Sequence, residues 1–289
     1  MTSTTESQPR SPEAKAVRRA AVITHGKREG IGPALERLRR IAGDHDVDLL
    51  IPADEVEKHG IAGARDDVSG ADLAVVLGGD GTMLRALQQF LGTDVGVIGV
   101  NFGRVGFLAS IEADQLEEAL PRVFAGDYRV TALSTLDVEA GATRGTAIND
   151  VVVLSSVRGR MVELAWALGG EHLGVQPCDG LICATPTGST AYNLSNGGPV
   201  LVRGLDAMAV TFIAAHSLHA RPIVVPRGLD LEVRNQTSDV GAAVIVDGHS
   251  VTEIDDGTPI RIRLGERRSL LAVLPEASFF RRYRAVFGS

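Results

Sequence analysis

The 289-residue chain is short of several things, and each shortage excludes a class of protein. Its only cysteines are Cys178 and Cys183, at a spacing that fits neither a disulfide framework nor a zinc motif, so a reducing cytoplasm suits it best. Positive charge is not in excess: 36 acidic against 29 basic side chains give a net charge of -7, which leaves no global field for nucleic acid or an anionic membrane. No apolar run approaches the ~20 residues that span a bilayer, the longest lying near residues 207–215. The polar opening, MTSTTESQPRSPEAKAVRR, lacks the apolar stretch of a secretory signal, and Glu6 and Glu13 argue against a transit peptide. Residues 1–17 read as a disordered tail, and there is no internal repeat.

What remains is an ordinary globular composition, 44% hydrophobic and 22% charged, with length for two domains. An anionic ligand must then be held locally, by glycine loops, helix N-termini or single arginines. The first half alternates apolar runs at residues 19–24, 47–51, 73–77 and 95–100 with helical periodicity at 31–41 and 82–91. Asp114 reads as the N-cap of a helix to residue 124, with Glu117 in the capping-box position. Strands apolar on both faces, alternating with helices, imply a parallel α/β sheet over residues 18–127. Residues 128–274 read as a β-rich, sandwich-like domain: 162–168 alternates and stops at Gly169-Gly170, and the last of several further strand candidates is 270–274. Residues 275–289, with Arg281, Arg282 and Arg284, read as a basic C-terminal tail; Arg37, Arg39 and Arg40 read as the solvated side of the first helix.

Two stretches carry chemistry. In Gly78-Gly79-Asp80-Gly81-Thr82, glycines let a ligand approach the backbone and permit unusual dihedrals, and the following helix N-terminus offers unpaired N–H groups to phosphate. A plain strand-to-helix turn capped by Asp80 or Thr82 accounts for part of this, but not for glycine on both sides of the acid. The Lys-Ser or Lys-Thr of a P-loop is missing. In CDGLICATPTGSTAYNLSNGGP (residues 178–199), Thr185, Thr187, Ser189, Thr190, Tyr192, Asn193 and Ser195 offer hydrogen bonds to sugar hydroxyls and base edges, with Tyr192 able to stack. A Ser/Thr-rich surface loop is the plainer alternative, although its apolar entry Leu181-Ile182-Cys183-Ala184 is more than such a loop needs.

Taken together, these stretches resemble the two signatures of the NAD kinase family. The likeness extends through VGVIGVNFGRVGFLA (95–109), NDVVV (149–153), HSLHARPIVVP (216–226) and VDGH (246–249), and so covers about residues 20–274. GGDGT alone also occurs in diacylglycerol-type lipid kinases and phosphofructokinases; TPTGSTAY is the specific part. The resemblance implies an NAD kinase/diacylglycerol kinase-like fold, with a site between the domains. It also implies phosphoryl transfer from ATP or polyphosphate to the 2′-hydroxyl of the adenosine ribose of NAD, giving NADP.

On that resemblance Asp80 would orient or deprotonate the hydroxyl and help hold Mg²⁺ near the donor phosphates, while Gly79, Gly81, Thr82 and Arg85 would touch phosphate. Asn149-Asp150 would bind ribose, with Asp where the family commonly has Glu and so shorter by one methylene. Asp179 would lie near the nicotinamide half. Thr187, Thr190, Ala191, Tyr192 and Ser195 would line the dinucleotide pocket, with Asp247 and His249 close by. Arg160 reads equally as a pyrophosphate contact or as a solvated turn arginine, and His249 as a ligand contact or a solvated strand end. Met83 reads as core. The family also implies a homodimer or homotetramer. Two rival readings are a related lipid or sugar-phosphate kinase, which has no use for TPTGSTAYNLS, and a non-catalytic dinucleotide-binding protein, which would have lost the acid that GGDGT retains.

Overall fold

The computed structural model describes residues 14–26, 31–59, 67–103 and 106–288. They divide into two units, one comprising the residues up to Ala132 and those from Leu270 onward, the other Leu133–Ser269. The first unit begins with β1 (Arg19–Thr24), α1 (Ile31–Asp44), β2 (Asp48–Leu50), α2 (Ala53–His59), β3 (Leu73–Gly78) and α3 (Asp80–Gln89). It continues with β4 (Gly96–Asn101), β5 (Ile111–Glu112), α4 (Leu116–Phe124) and β6 (Arg129–Leu133). Next come β7 (Leu136–Ala140), β8 (Thr143–Ala147), β9 (Asp150–Ser155), β10 (Val162–Leu168), β11 (Glu171–Cys178), β12 (Gly180–Ala184) and the single turn α5 (Tyr192–Ser195). Then follow β13 (Ala207–Ile213), β14 (Ile223–Pro226), β15 (Leu231–Asn235), β16 (Ala242–Val246), β17 (His249–Ile254) and β18 (Pro259–Leu264). Finally β19 (Ser269–Val273) and α6 (Phe279–Phe287) rejoin the first unit.

In the first unit the sheet order is β2-β1-β3-β4-β19-β6, with β5 beside β4. The pairs β1/β2, β1/β3, β3/β4, β4/β5 and β4/β19 are parallel. Every residue of β3 and β4 is buried, as strands covered on both faces require. Helix α1 buries Ala34, Leu35, Leu38 and Ile41, and α4 buries Leu116, Ala119, Leu120 and Val123, all into one core with Leu73, Leu77 and Ile98. Met83 is fully buried, as expected.

Several expectations are corrected here. Asp114 is not a helix cap: it lies in a 3-10 turn (Ala113–Gln115), and α4 starts at Leu116 with no side-chain cap. Glu117 instead accepts from the Arg37 guanidinium, whose two-pronged, charge-assisted grip holds its carboxyl down to about 2 and outcompetes a neutral amide. Arg37 is thus tied across α1 and α4 rather than merely solvated. The strand at 270–274, read with the β-rich half, pairs with β4 in the parallel sheet; a run buried on both faces carries no sign of which sheet it will join. Residues 275–289 contain α6, whose N-cap Ser278 accepts from the Arg281 amide. Residues 14–17 are ordered, with Val17 buried and its amide donating to Phe124. The rest of the expected tail, residues 1–13, lies outside the described residues.

The second unit is an antiparallel sandwich of two six-stranded sheets, β11-β10-β15-β18-β7-β8 and β14-β13-β12-β9-β16-β17. Inward residues alternate with half-exposed ones along β7 and β16, and Leu136, Val138, Val153, Leu164, Leu181, Val244 and Ile262 share one core between the sheets. In the second sheet Ala184 of β12 pairs with Asp150 of β9, and Val151 pairs with Val246 of β16. That register brings the chain leaving β12, the chain entering β9 and the chain leaving β16 to one end of three adjacent strands.

Candidate functional site

The first unit contains a cavity of about 640 Å³ lined by Thr24, Gly26, Gly79, Gly81, Thr82, Arg85 and Phe102 among others. Its floor is the turn from β3 into α3. Gly78 is needed because a Cβ there would fall 2.6 Å from the Thr82 hydroxyl, whereas at Gly79 and Gly81 the space is open. Gly79 has φ -103, and neither it nor Gly81 has a positive φ. The two glycines therefore serve clearance, not the unusual dihedrals anticipated from the sequence. The Gly79 carbonyl accepts from the Thr82 and Met83 amides, so α3 begins at Asp80 rather than at residue 82, and its first amides, without intrahelical acceptors, have the chemistry to seat a phosphate.

Asp80 does not cap its own helix. Its carboxylate accepts from the Phe107 amide at 2.7 Å and the Leu108 amide at 3.1 Å, one oxygen each. A Cβ on Gly106 would lie 2.4 Å from that carboxyl, so what closes on Asp80 is backbone of its own unit. Each oxygen keeps a further acceptor position for a hydroxyl or a metal.

Arg85, half exposed at the cavity, donates to the Thr24 carbonyl at 2.6 Å and to Glu55 at 3.0 Å. Glu55 is a buried carboxylate, its side chain 2% exposed, also paired with Lys58 at 2.9 Å and with the Thr24 hydroxyl. Sequence reasoning missed Glu55 and Thr24. In ADEVEKH a carboxylate among charges looks solvated, and only the packing of α2 beside β1 reveals its partner.

In the second unit three distant motifs meet at the strand end just described. The Asp247 carboxylate accepts from the amides of Ile148 (2.9 Å), Asn149 (2.7 Å) and Asp150 (3.1 Å). Its own backbone is left-handed, φ 47, followed by Gly248 at φ 82, the two positive values of a type I′ hairpin turn between β16 and β17. Asp247 is thereby the brace of the Asn149-Asp150 pair. Thr185 completes the assembly, its hydroxyl donating to Ile148 and its amide to the Asn149 carbonyl, while Gly188 packs where a Cβ would fall 2.0 Å from that same carbonyl. The Asn149 side-chain oxygen is buried with no hydrogen-bond partner among the described residues, an arrangement costing about 1–3 kcal/mol unless a ligand donor meets it. Burial and, second, the neighbouring Asp247 push the Asp150 carboxyl up to about 7.

The Ser/Thr-rich stretch divides in two. Thr185, Ser189 and Asn193 are buried and bonded within the fold: Ser189 to Pro186, Asn193 to Ser189, Pro199 and Thr211. Their expected role toward sugar is corrected to holding the loop, because a loop buried this deeply must satisfy its own polar groups. Thr187 is buried as well, Thr190 and Ala191 are half-buried at the loop's edge, Ser195 is exposed, and Tyr192 is 43% exposed, which leaves its ring free to stack. His249 is exposed beside Asp247, its Nδ1 3.1 Å from the Asp247 carbonyl.

Two expected residues stand apart. Asp179 precedes β12, so the whole strand, ~16 Å at ~3.3 Å per residue, separates it from Thr185. Its carbonyl accepts from Ser155 at the far end of β9. Arg160 follows β9 at that same far end and forms an ion pair with Asp239 at 2.7 Å.

Family models match most of the chain. The ATP-NAD kinase N-terminal domain matches residues 39–128 and the ATP-NAD kinase C-terminal domain matches residues 148–273. A curated NAD kinase from Natranaerobius thermophilus is 30% identical over 273 residues, covering 91% of this chain and 96% of the relative. An NAD kinase from Archaeoglobus fulgidus, solved in complex with ATP, is 27% identical with a TM-score of 0.72, covering 93% of this chain and 97% of its own. A yeast NADH kinase solved with NADH has a TM-score of 0.81 at 22% identity, covering 98% and 92%, and shows the shared fold.

Proposed function

The chain belongs to the NAD kinase family, and from that premise we propose that it transfers a phosphoryl group to the 2′-hydroxyl of the adenosine ribose of NAD, giving NADP. The observation that carries the reading is Asp80, a carboxylate fixed by two backbone amides beside a helix N-terminus that lines an open cavity. Phosphoryl transfer needs positioning and charge stabilisation more than covalent catalysis. Asp80 accepts the hydroxyl proton as the 2′-oxygen bonds to phosphorus, and the bond from phosphorus to the donor's leaving oxygen breaks. Gly79, Gly81 and Thr82 cradle the donor phosphates, and Arg85, anchored by Glu55, adds a fixed positive charge.

The second unit supplies recognition. Asn149 and Asp150 bind ribose, the unpartnered Asn149 oxygen accepting from a hydroxyl; Thr187, Thr190, Ala191, Ser195 and His249 border the dinucleotide, with Tyr192 stacking. ATP is the donor, supported by the ATP-bound archaeal relative, with polyphosphate as the alternative. Among the described residues no three His, Cys, Asp or Glu side chains form a metal cage. Mg²⁺ needs none, since one carboxylate plus substrate phosphates serves it, and Asp80 fits that donor set. When bound, the metal neutralises charge on the donor phosphates. Two buried, unpaired cysteines suit a reducing cytoplasm, and the assembly is a homodimer or homotetramer, which light scattering measures.

The test is NADP formation from NAD, ATP and Mg²⁺, with polyphosphate in parallel. Asp80→Asn is expected to lower kcat by roughly a hundredfold or more while KM for NAD changes little, because the acid acts in the transition state. An Asp80→Asn enzyme that retains most of its turnover removes Asp80 from the mechanism.

A further inference from the structure

We propose that the C-terminal helix α6 is a positioning element for Asp80, gripping through Phe107 and Arg282 the segment whose amides hold that carboxylate. The inference rests on the reading of Asp80 as the acid acting on the acceptor hydroxyl.

Helix α6 presents Phe279, Tyr283 and Phe287 at i, i+4 and i+8, a single stripe with ring centroids 6.4 Å and 5.0 Å apart in succession. The Phe107 ring lies on that stripe, 5.9 Å from Phe279 and 5.8 Å from Phe287. Arg282, on the same helix, donates to the Ala109 carbonyl and, at 3.0 Å, to Glu112 of β5. The helix thus holds the segment at Phe107, Ala109 and Glu112, and the two amides that orient Asp80 belong to Phe107 and Leu108. Gly106 removes any slack, since its backbone approaches the Asp80 carboxyl too closely for a Cβ. A shift of the segment therefore becomes a shift of the carboxylate.

The helix does little else for the unit. None of its residues is fully buried, and Phe280 is 67% exposed, so the hydrophobic core does not depend on it. A surface helix with no fully buried side chain that fixes the neighbours of the reacting acid acts on geometry more than on folding.

The experiment compares the full chain with one ending at Glu276 and with Arg282→Gln and Arg282→Lys. The readouts are kcat, KM for NAD and ATP, and amide hydrogen exchange over residues 106–112. Removal of α6 is expected to lower kcat roughly ten- to a hundredfold, as an ångström-scale misplacement does, with both KM values within about twofold and faster exchange at Phe107 and Leu108. Arg282→Gln should move both readouts in the same direction and Arg282→Lys should restore part of each; these variants decide the matter if the shortened chain does not fold. Unchanged kcat with accelerated exchange, or a rise in KM alone, overturns the positioning role, and unchanged exchange overturns the grip itself. If the full chain makes no NADP, it is the proposed activity that fails, and exchange alone then decides whether α6 holds the segment.

Discussion

An acid in the first turn of a helix usually complements that helix's own dipole and free amides, yet the Asp80 oxygens accept from amides 27 and 28 residues away. Its orientation is therefore a tertiary property, and the sensitive neighbour is Gly106. Gly106→Ala places a methyl within the space of the carboxyl, and rotation of one short side chain is the cheapest relief. Turnover is expected to fall roughly tenfold or more while the melting temperature changes little, a split that kinetics and calorimetry on one preparation measure. A large loss of stability with turnover intact would place the strain elsewhere.

Asp150 is the other residue whose environment makes a prediction. Burial, then Asp247, raises its carboxyl to about 7 in the folded chain. Between roughly pH 4 and 7 the folded protein thus holds a proton that the unfolded chain has released, so the contribution of Asp150 is complete below pH 4 and is lost as pH rises through about 7. Melting temperatures across that window should decline with pH, and Asp150→Asn should flatten the decline. A slope that survives the substitution assigns it to another group.

At the scale of elements, the proposed recognition site is made by register. Residues 149, 185 and 247 are strangers in sequence, and the β12-β9-β16 order alone makes them neighbours. The loop after β12 is pressed against Asn149, so Gly188→Ala meets backbone rather than a movable side chain. It should cost about 1–3 kcal/mol and raise KM for NAD, with kcat less affected. Chemical denaturation and steady-state kinetics give both numbers, and a stable Gly188→Ala protein with unchanged KM would mean that the loop yields without disturbing the ribose pair. The sequence showed the motifs clearly because glycine, threonine and acid spacing are local. It did not show which residues serve the loop: the Thr185 and Ser189 hydroxyls have the same chemistry as that of Thr190 and differ from it in burial.

At the scale of the whole molecule, the proposed phosphate seat and acid belong to the first unit, while the proposed ribose pair belongs to the second. Binding of NAD should then survive loss of the acid. In thermal-shift measurements, NAD is expected to raise the melting temperature of Asp80→Asn as much as that of the unmodified protein, by the mass-action stabilisation any native-state ligand gives. Loss of the shift in Asp80→Asn would make Asp80 a binding residue rather than one acting in turnover.

The sequence by itself determined the α/β first half, the β-rich second half and the two signatures, because these rest on short-range periodicity and spacing. Its two cysteines and net charge of -7 are likewise properties of composition alone. Only the tertiary structure decided that residues 269–273 return to the parallel sheet, that Glu55 is buried behind Arg85, that Asp179 and Arg160 stand a strand away from Asn149, and that Phe107 and Leu108 hold Asp80. The physical reason is common to all four. An apolar run or a charged side chain specifies that it wants burial or a partner, while strand order and register choose which neighbour, tens or hundreds of residues away, provides it.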